Sequence, residues 1–131
     1  MTILQWDDAF LLGEPSLDQQ HKVLVQLINE LSTAMDTSAQ EGPDSDFVLA
    51  ELASHLYAHM DYEEQLFEDR GFSELLSHKL LHEKYRQIFH DLYLAFKDED
   101  RPDKIQVLQK MVEWVENHIA KEDAKFKPYL S

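Results

Sequence analysis

Five of the seven histidines in this chain, together with two of its acids, fall at spacings that can hold metal. His59 and Glu63 stand four residues apart, as do His78 and His82, while Asp123 follows His118 by five. His21 lies upstream in the run Asp18-Gln19-Gln20-His21-Lys22. Residues four apart share one face of a helix, so each such pair points two donors at one place. Imidazole combined with carboxylate suits redox-active first-row metals. Five imidazoles and two carboxylates are too many for one ion and about right for two. A lone histidine on an apolar face is usually a hydrogen-bonded core residue. Five of them with an acid are too costly to bury without a common purpose, because each buried polar group needs a partner.

Four segments with a helical period position these donors. The first stripe is Leu17, His21, Leu24, Val25, Ile28, Leu31 and Met35, with Ser16 and Gln19 placed as a capping box. After a polar loop holding Gly42 and Pro43, a second helix is expected from about Asp46 to Asp69, with Leu52, Leu56, His59, Glu63, Leu66 and Phe67 inward and Gly71 just beyond. Ser73 is the expected cap of a third helix, whose stripe is Leu75, His78, His82, Tyr85, Phe89, Leu92 and Phe96. Pro102 suits the first turn of a fourth, which carries Ile105, Leu108, Met111, Val112, Val115, His118 and Ile119. Short connections then predict an all-α, up-down-up-down antiparallel four-helix bundle. The expected layout is one domain over residues 1–131, with an arm at 1–16 anchored by Trp6, the bundle at 17–123 and a C-terminal extension at 124–131.

Composition narrows the function. A chain of 131 residues with 44% hydrophobic content can build one continuous core. A net charge of −14 repels phosphate backbones and anionic lipid, which predicts no nucleic-acid and no membrane partner. The absence of cysteine excludes disulfides, thiolate zinc sites and iron–sulfur clusters. No apolar run reaches membrane-spanning length and the start has no basic and apolar leader, so a cytoplasmic monomer is the expectation.

The ligand pattern resembles the hemerythrin family, in particular its single-domain bacterial members. The flanks agree in His59-Met60-Asp61-Tyr62-Glu63-Glu64, in Gly71-Phe72 ahead of His78, and in Trp114-Val115-Glu116-Asn117-His118-Ile119. The resemblance runs from Trp6 to about Leu130 and fills all seven ligand positions. It implies two iron ions as the cofactor: one held by His78, His82 and His118, the other by His21 and His59. Glu63 and Asp123 would bridge both, with an oxo or hydroxo group as the third bridge. The second iron then keeps one open position, where a small ligand binds. The resemblance makes that ligand dioxygen, bound reversibly for storage, delivery or sensing, and an oxygen-consuming enzyme is a candidate partner. Uptake of dioxygen with two electrons and the bridging proton leaves the net charge of the site unchanged, which suits a low-dielectric interior. Leu24, Met60, Trp114, Val115 and Ile119 should line the dioxygen pocket. Relatives usually carry phenylalanine where Met60 stands and a bulkier aliphatic at Val115, a departure that bears on the lifetime of the oxygenated form.

The implied protein is a carrier and not an enzyme, with no catalytic residues. The runner-up is a di-iron enzyme acting on nitric oxide, peroxide or damaged iron centres. Ferritin-like Glu-xx-His spacing is absent. A zinc-protease helix starting at His82 and Glu83 fails because Arg86 stands where its second histidine belongs. Spacing alone leaves dimanganese open. His55 and His90 continue the ligand faces and are expected as boundary histidines near the bundle ends, with a proton-steering role as the alternative for His55. Glu64 and Glu122 either face solvent or hold a ligand imidazole from behind. Asp123 lies about 140° round an ideal helix from His118, so a π-type widening near Ala120 is expected.

Overall fold

The computed structural model describes residues 4–35, 44–98, 103–118, 121, 125 and 128, and no strand occurs among them. The helices are α1 (Pro15–Met35), α2 (Ser45–Asp69), α3 (Leu75–Lys97) and α4 (Lys104–Asn117), preceded by a 3-10 turn at Asp8–Phe10. α1 packs on α2, α2 on α3, α3 on α4 and α4 back on α1, closing the antiparallel bundle. Among the described residues no helix is long and apolar enough to cross a membrane.

The helix ends have local causes, and two differ from expectation. Pro15 is suited to a first helical position because its missing N–H would have no partner there. The cap of α1 therefore falls on Glu14, whose carboxylate accepts the Leu17 N–H at 2.6 Å, and not on the pair Ser16 and Gln19. Asp18 in the first turn accepts from the N–H groups of Leu12 and Gly13, at 2.6 and 3.1 Å, and so ties the preceding arm to α1. Farther out, the Asn29 side chain pairs with both backbone groups of Leu4, at 3.0 and 2.7 Å. Leu4, Phe10 and Leu12 are the buried anchors of this arm. Trp6, the anchor expected from the sequence, stays half-buried with its ring edge-on to Phe10. Asp44 caps α2 through the Asp46 N–H at 3.1 Å. α3 begins after Glu74 with no side-chain cap, so the capping expected of Ser73 does not occur.

Between α2 and α3 the chain turns by a defined device. The Phe72 N–H donates to the Phe67 carbonyl at 2.9 Å and the Gly71 N–H to the Glu68 carbonyl at 3.1 Å. Gly71 sits at φ 71°, and the Phe67 and Phe72 rings lie 6.0 Å apart. These are the two bonds, the left-handed residue and the apolar contact of a Schellman motif.

Two apolar clusters fill the interior. The larger contains Leu24, Ile28, Leu52, Leu56, Met60, Phe89, Met111 and Val115 among others. The smaller, built from Leu12, Leu17, Phe67 and Phe72, closes one end. On α1 and α2 the inward histidines fall where one cluster gives way to the other: His21 between Leu17 and Leu24 on α1, His59 and Glu63 before Phe67 on α2. Ile105, expected on the inner stripe of α4, is 65% exposed. Val107, Leu108, Met111, Trp114 and Val115 set the buried line, and Ile105 lies about a third of a turn off it.

Gly71→Ala should cost ~1–2 kcal/mol, the penalty of a Cβ in the left-handed region, although open space surrounds the position. Gly71→Asn should cost less, since asparagine tolerates that conformation. Urea unfolding of the three proteins at equal metal loading provides the ranking, and an alanine variant as stable as the parent would contradict it.

Candidate metal centre

Six of the seven ligand positions lie among the described residues, and all six are buried together. His21, His59, Glu63, His78, His82 and His118 are each at least nine-tenths inaccessible, with Glu63 at 0% exposure. Asp123 and the pocket candidate Ile119 lie outside the described residues.

Glu63 stands at the centre. Its Oε2 is 3.3 Å from His59 Nε2. Its Oε1 faces the other way, 3.2 Å from His82 Nε2 and 3.6 Å from Nε2 of both His78 and His118. The donors thus form two groups with one carboxylate in common: His21, His59 and Glu63, and Glu63, His82 and His118, with donor atoms inside each group within 4.8 Å of one another. The rings interlock edge to face, His21 on His59 at 4.8 Å and His78 near His82 at 3.9 Å between centroids. A carboxylate with one oxygen per group is the arrangement a bridging ligand needs. Imidazole nitrogens on both sides suit two first-row metal ions better than calcium or magnesium, which prefer oxygen.

Local structure explains how each donor arrives. The four-residue spacing stacks His59 under Glu63 and His78 under His82 on regular helix. α4 behaves differently at its end. Regular α-helical bonding stops at Asn117, and His118 and Lys121 have π-helical geometry. The His118 N–H reaches both the Trp114 and Val115 carbonyls. The π geometry at His118 and Lys121 stands on either side of Ala120, where the five-residue gap to Asp123 predicts the widening and which lies outside the described residues.

Gln20 and Glu64 hold imidazoles from behind. Gln20 Oε1 lies 2.8 Å from His59 Nδ1. Glu64 Oε2 lies 3.2 Å from His82 Nδ1 and also receives Arg86 at 2.5 Å. Burial raises the Glu64 pKa, but the hydrogen bonds and charges of Arg86 and His82 outweigh it, and the carboxyl is held below its ordinary range. Burial likewise opposes the Arg86 charge, and Glu64 with its acidic neighbours more than restores it. Glu64 is therefore a charged acceptor at neutral pH. Of the two positions open to it from sequence, it takes the one behind an inward imidazole, that of His82. Gln20 and Arg86 were not legible as site residues, although each had a signal: Gln20 adjoins His21, and Arg86 lies one turn after His82.

Leu24, Met60, Trp114 and Val115 are all buried in the larger cluster on the side of the histidine layer away from Phe67. The Trp114 ring lies parallel to the His118 ring, 4° between planes and 5.5 Å between centroids. His55 and His90, by contrast, point outward. His55 pairs across one turn with Glu51 at 3.6 Å on the surface. Eight residues beyond His82 the helix has rotated about 80°, which carries His90 off the ligand face.

A four-helix bundle with a buried layer of imidazoles about a shared carboxylate has the donor set that could hold metal. A family model, the hemerythrin HHE cation binding domain, matches residues 13–130, and the chain belongs to the hemerythrin family. It is 32% identical over 127 residues to a bacteriohemerythrin of Pseudomonas aeruginosa, covering 96% of this chain and 80% of that one. A hemerythrin-like protein of Naegleria gruberi is 32% identical over 125 residues, with coverages of 95% and 92%. A crystal structure of a hemerythrin mutant superposes with a TM-score of 0.82 at 26% identity, covering 100% of this chain and 99% of the other.

If the layer is a metal site, metal should be coupled to folding, since all four helices contribute a donor. A ligand that binds only the native state at a hundredfold excess over its dissociation constant adds ~2.7 kcal/mol of stability. Anaerobic ferrous iron should accordingly raise the melting temperature of the metal-free chain. Identical melting curves with and without iron would count against the coupling.

Proposed function

We propose that this chain binds dioxygen reversibly at a non-heme di-iron centre. In this reading His78, His82 and His118 would hold one iron, His21 and His59 would hold the other, and Glu63 and Asp123 would be shared between them. The observation that carries it is the division of Glu63, whose Oε2 faces His59 while Oε1 faces His78, His82 and His118. Family membership supports the same reading, because hemerythrins bind dioxygen at di-iron sites. When present, the two irons would supply the electrons and the open coordination position for the gas.

The protein's own residues supply the rest. The count of imidazoles is unequal, three on one side and two on the other, so the second metal would keep one more position free of protein donors than the first. Gln20 and Glu64 each accept from Nδ1 of an imidazole, which turns Nε2 of His59 and of His82 toward the centre. Leu24, Met60, Trp114 and Val115 form an apolar wall that keeps bulk water from the layer. A dry wall also denies protons to the site, and proton entry is what would convert reversible binding into irreversible oxidation. Function as a carrier with no catalytic turnover follows from that exclusion.

Metal analysis of the purified protein should find two irons per chain. His82→Ala should lose at least one of them, whereas His55→Ala, on the surface, should keep both. Equal loss in the two variants would refute the ligand assignment. Repeated cycles of air and vacuum, followed by visible absorption, separate a carrier from an enzyme: a carrier returns to its ferrous spectrum, and an enzyme consumes nitric oxide or peroxide instead.

Val115 has no exposed surface and immediately follows Trp114 in the wall. Val115→Leu should fill space near the layer and lengthen the lifetime of the oxygenated form, while Val115→Asn should admit water and shorten it. Overpacking costs ~1–3 kcal/mol, which leaves the leucine variant folded. Decay of the oxygenated absorption in one buffer decides the order, and equal rates would move control to another residue, Met60 first.

A further inference from the structure

His59 and His82 are each held from behind, and their two holds differ in charge. His59 Nδ1 meets a neutral amide, Gln20 Oε1, at 2.8 Å. His82 Nδ1 meets a carboxylate, Glu64 Oε2, at 3.2 Å. That same oxygen accepts from Arg86 Nη2 at 2.5 Å, and Arg86 also reaches Asp61 at 2.8 Å and Glu83 at 2.7 Å. Glu64 adjoins Glu63 on α2, and Arg86 lies one turn beyond His82 on α3, so the link joins the two helices directly behind the ligand.

An ionised carboxylate only accepts hydrogen bonds, so His82 must carry its proton on Nδ1 and present the Nε2 lone pair inward. A carboxylate partner also makes an imidazole a stronger donor to metal than an amide partner does. Glu64 could do neither reliably alone. Its long side chain has rotamer freedom to lose, and a half-buried negative charge needs compensation. The planar Arg86 guanidinium supplies both constraints, a fixed direction and a permanent opposite charge.

We propose that Arg86 is a positioning residue that locks Glu64 behind His82 and so strengthens metal binding on the His78, His82 and His118 side over the His21 and His59 side. This rests on the di-iron reading above. Asp61 and Glu83 are bystanders in it: they hold the exposed edge of the guanidinium and touch no ligand.

The test is chelator competition on the full chain loaded anaerobically with ferrous iron, read as two apparent dissociation constants. In Arg86→Gln one constant should weaken ~10–100-fold, the usual effect of losing a ligand's supporting partner, and the other should not move. The weakened step should be the one that His82→Ala abolishes. Nitrogen NMR of the zinc-loaded protein should show the Nδ1–H of His82 losing protection while that of His59 keeps it. Asp61→Asn and Glu83→Gln should leave both constants unchanged. If these two weaken iron as much as Arg86→Gln does, Arg86 is a general brace between helices and the inference is overturned. Should Arg86→Gln fail to fold, Glu64→Gln carries the test by the same criterion, and unchanged constants in it overturn the inference. A parent chain holding two irons beside an Arg86→Gln variant with unaltered constants overturns this inference alone. A parent chain that cannot hold two irons overturns the di-iron reading and takes this inference with it.

Discussion

The burial of one carboxylate governs this structure. Glu63 has no exposed surface, and four imidazole Nε2 atoms stand within 3.6 Å of its two oxygens. An isolated buried charge would cost far more than a bundle of this size can offset. Each of the surrounding histidines is therefore a condition of the acid being there, and the acid is a condition of theirs. Because those histidines come from different helices, the layer is what sets the register of α1, α2, α3 and α4 against one another.

α3 shows the dependence most clearly. Its buried residues are His78, His82, Phe89 and Phe96, so over its first three turns it buries imidazoles and no large apolar side chain. Leu76 and Leu80 on that stretch face outward. Apolar packing holds the second half of α3, through Phe89 and Phe96 in the larger cluster. The first half is held by the polar layer, by the Arg86–Glu64 link to α2, by Leu75 against the smaller cluster, and by the tight turn at Gly71 that delivers it. Stability and site geometry are in this segment the same interactions.

The wall above the layer and the cap below it play separate parts. The smaller cluster of Leu12, Leu17, Phe67 and Phe72 seals the end from which the N-terminal arm arrives. Asp18 holds that arm through two backbone N–H groups, and it stands three residues before His21. The run Asp18-Gln19-Gln20-His21 thus carries three tasks in four residues: fastening the arm, supporting His59 through Gln20 and placing an inward imidazole. The proximity of helix entry to the site explains why a short arm is fixed so firmly.

The helix count, the inward stripes and the donor set were legible because each depends on spacing along one helix. A four-residue interval puts His59 with Glu63, and His78 with His82, on one face whatever the rest of the fold does. Even the widened turn at His118 announced itself as a gap of five residues where four would serve. What the sequence did not determine were relations across helices and at their edges. Ser16 and Ser73 had the composition of caps, but Pro15 draws the start of α1 ahead of Ser16, and after the Gly71 turn α3 starts beyond Ser73. Ile105 fits a helical period yet falls outside the contact line that α3 and α1 impose on α4. Gln20 and Arg86 are polar residues of ordinary appearance whose role exists only because α1, α2 and α3 come within hydrogen-bond reach there. Periodicity fixes which face of each helix turns inward; only the packed bundle decides which side chains meet across it, because those distances belong to no single helix.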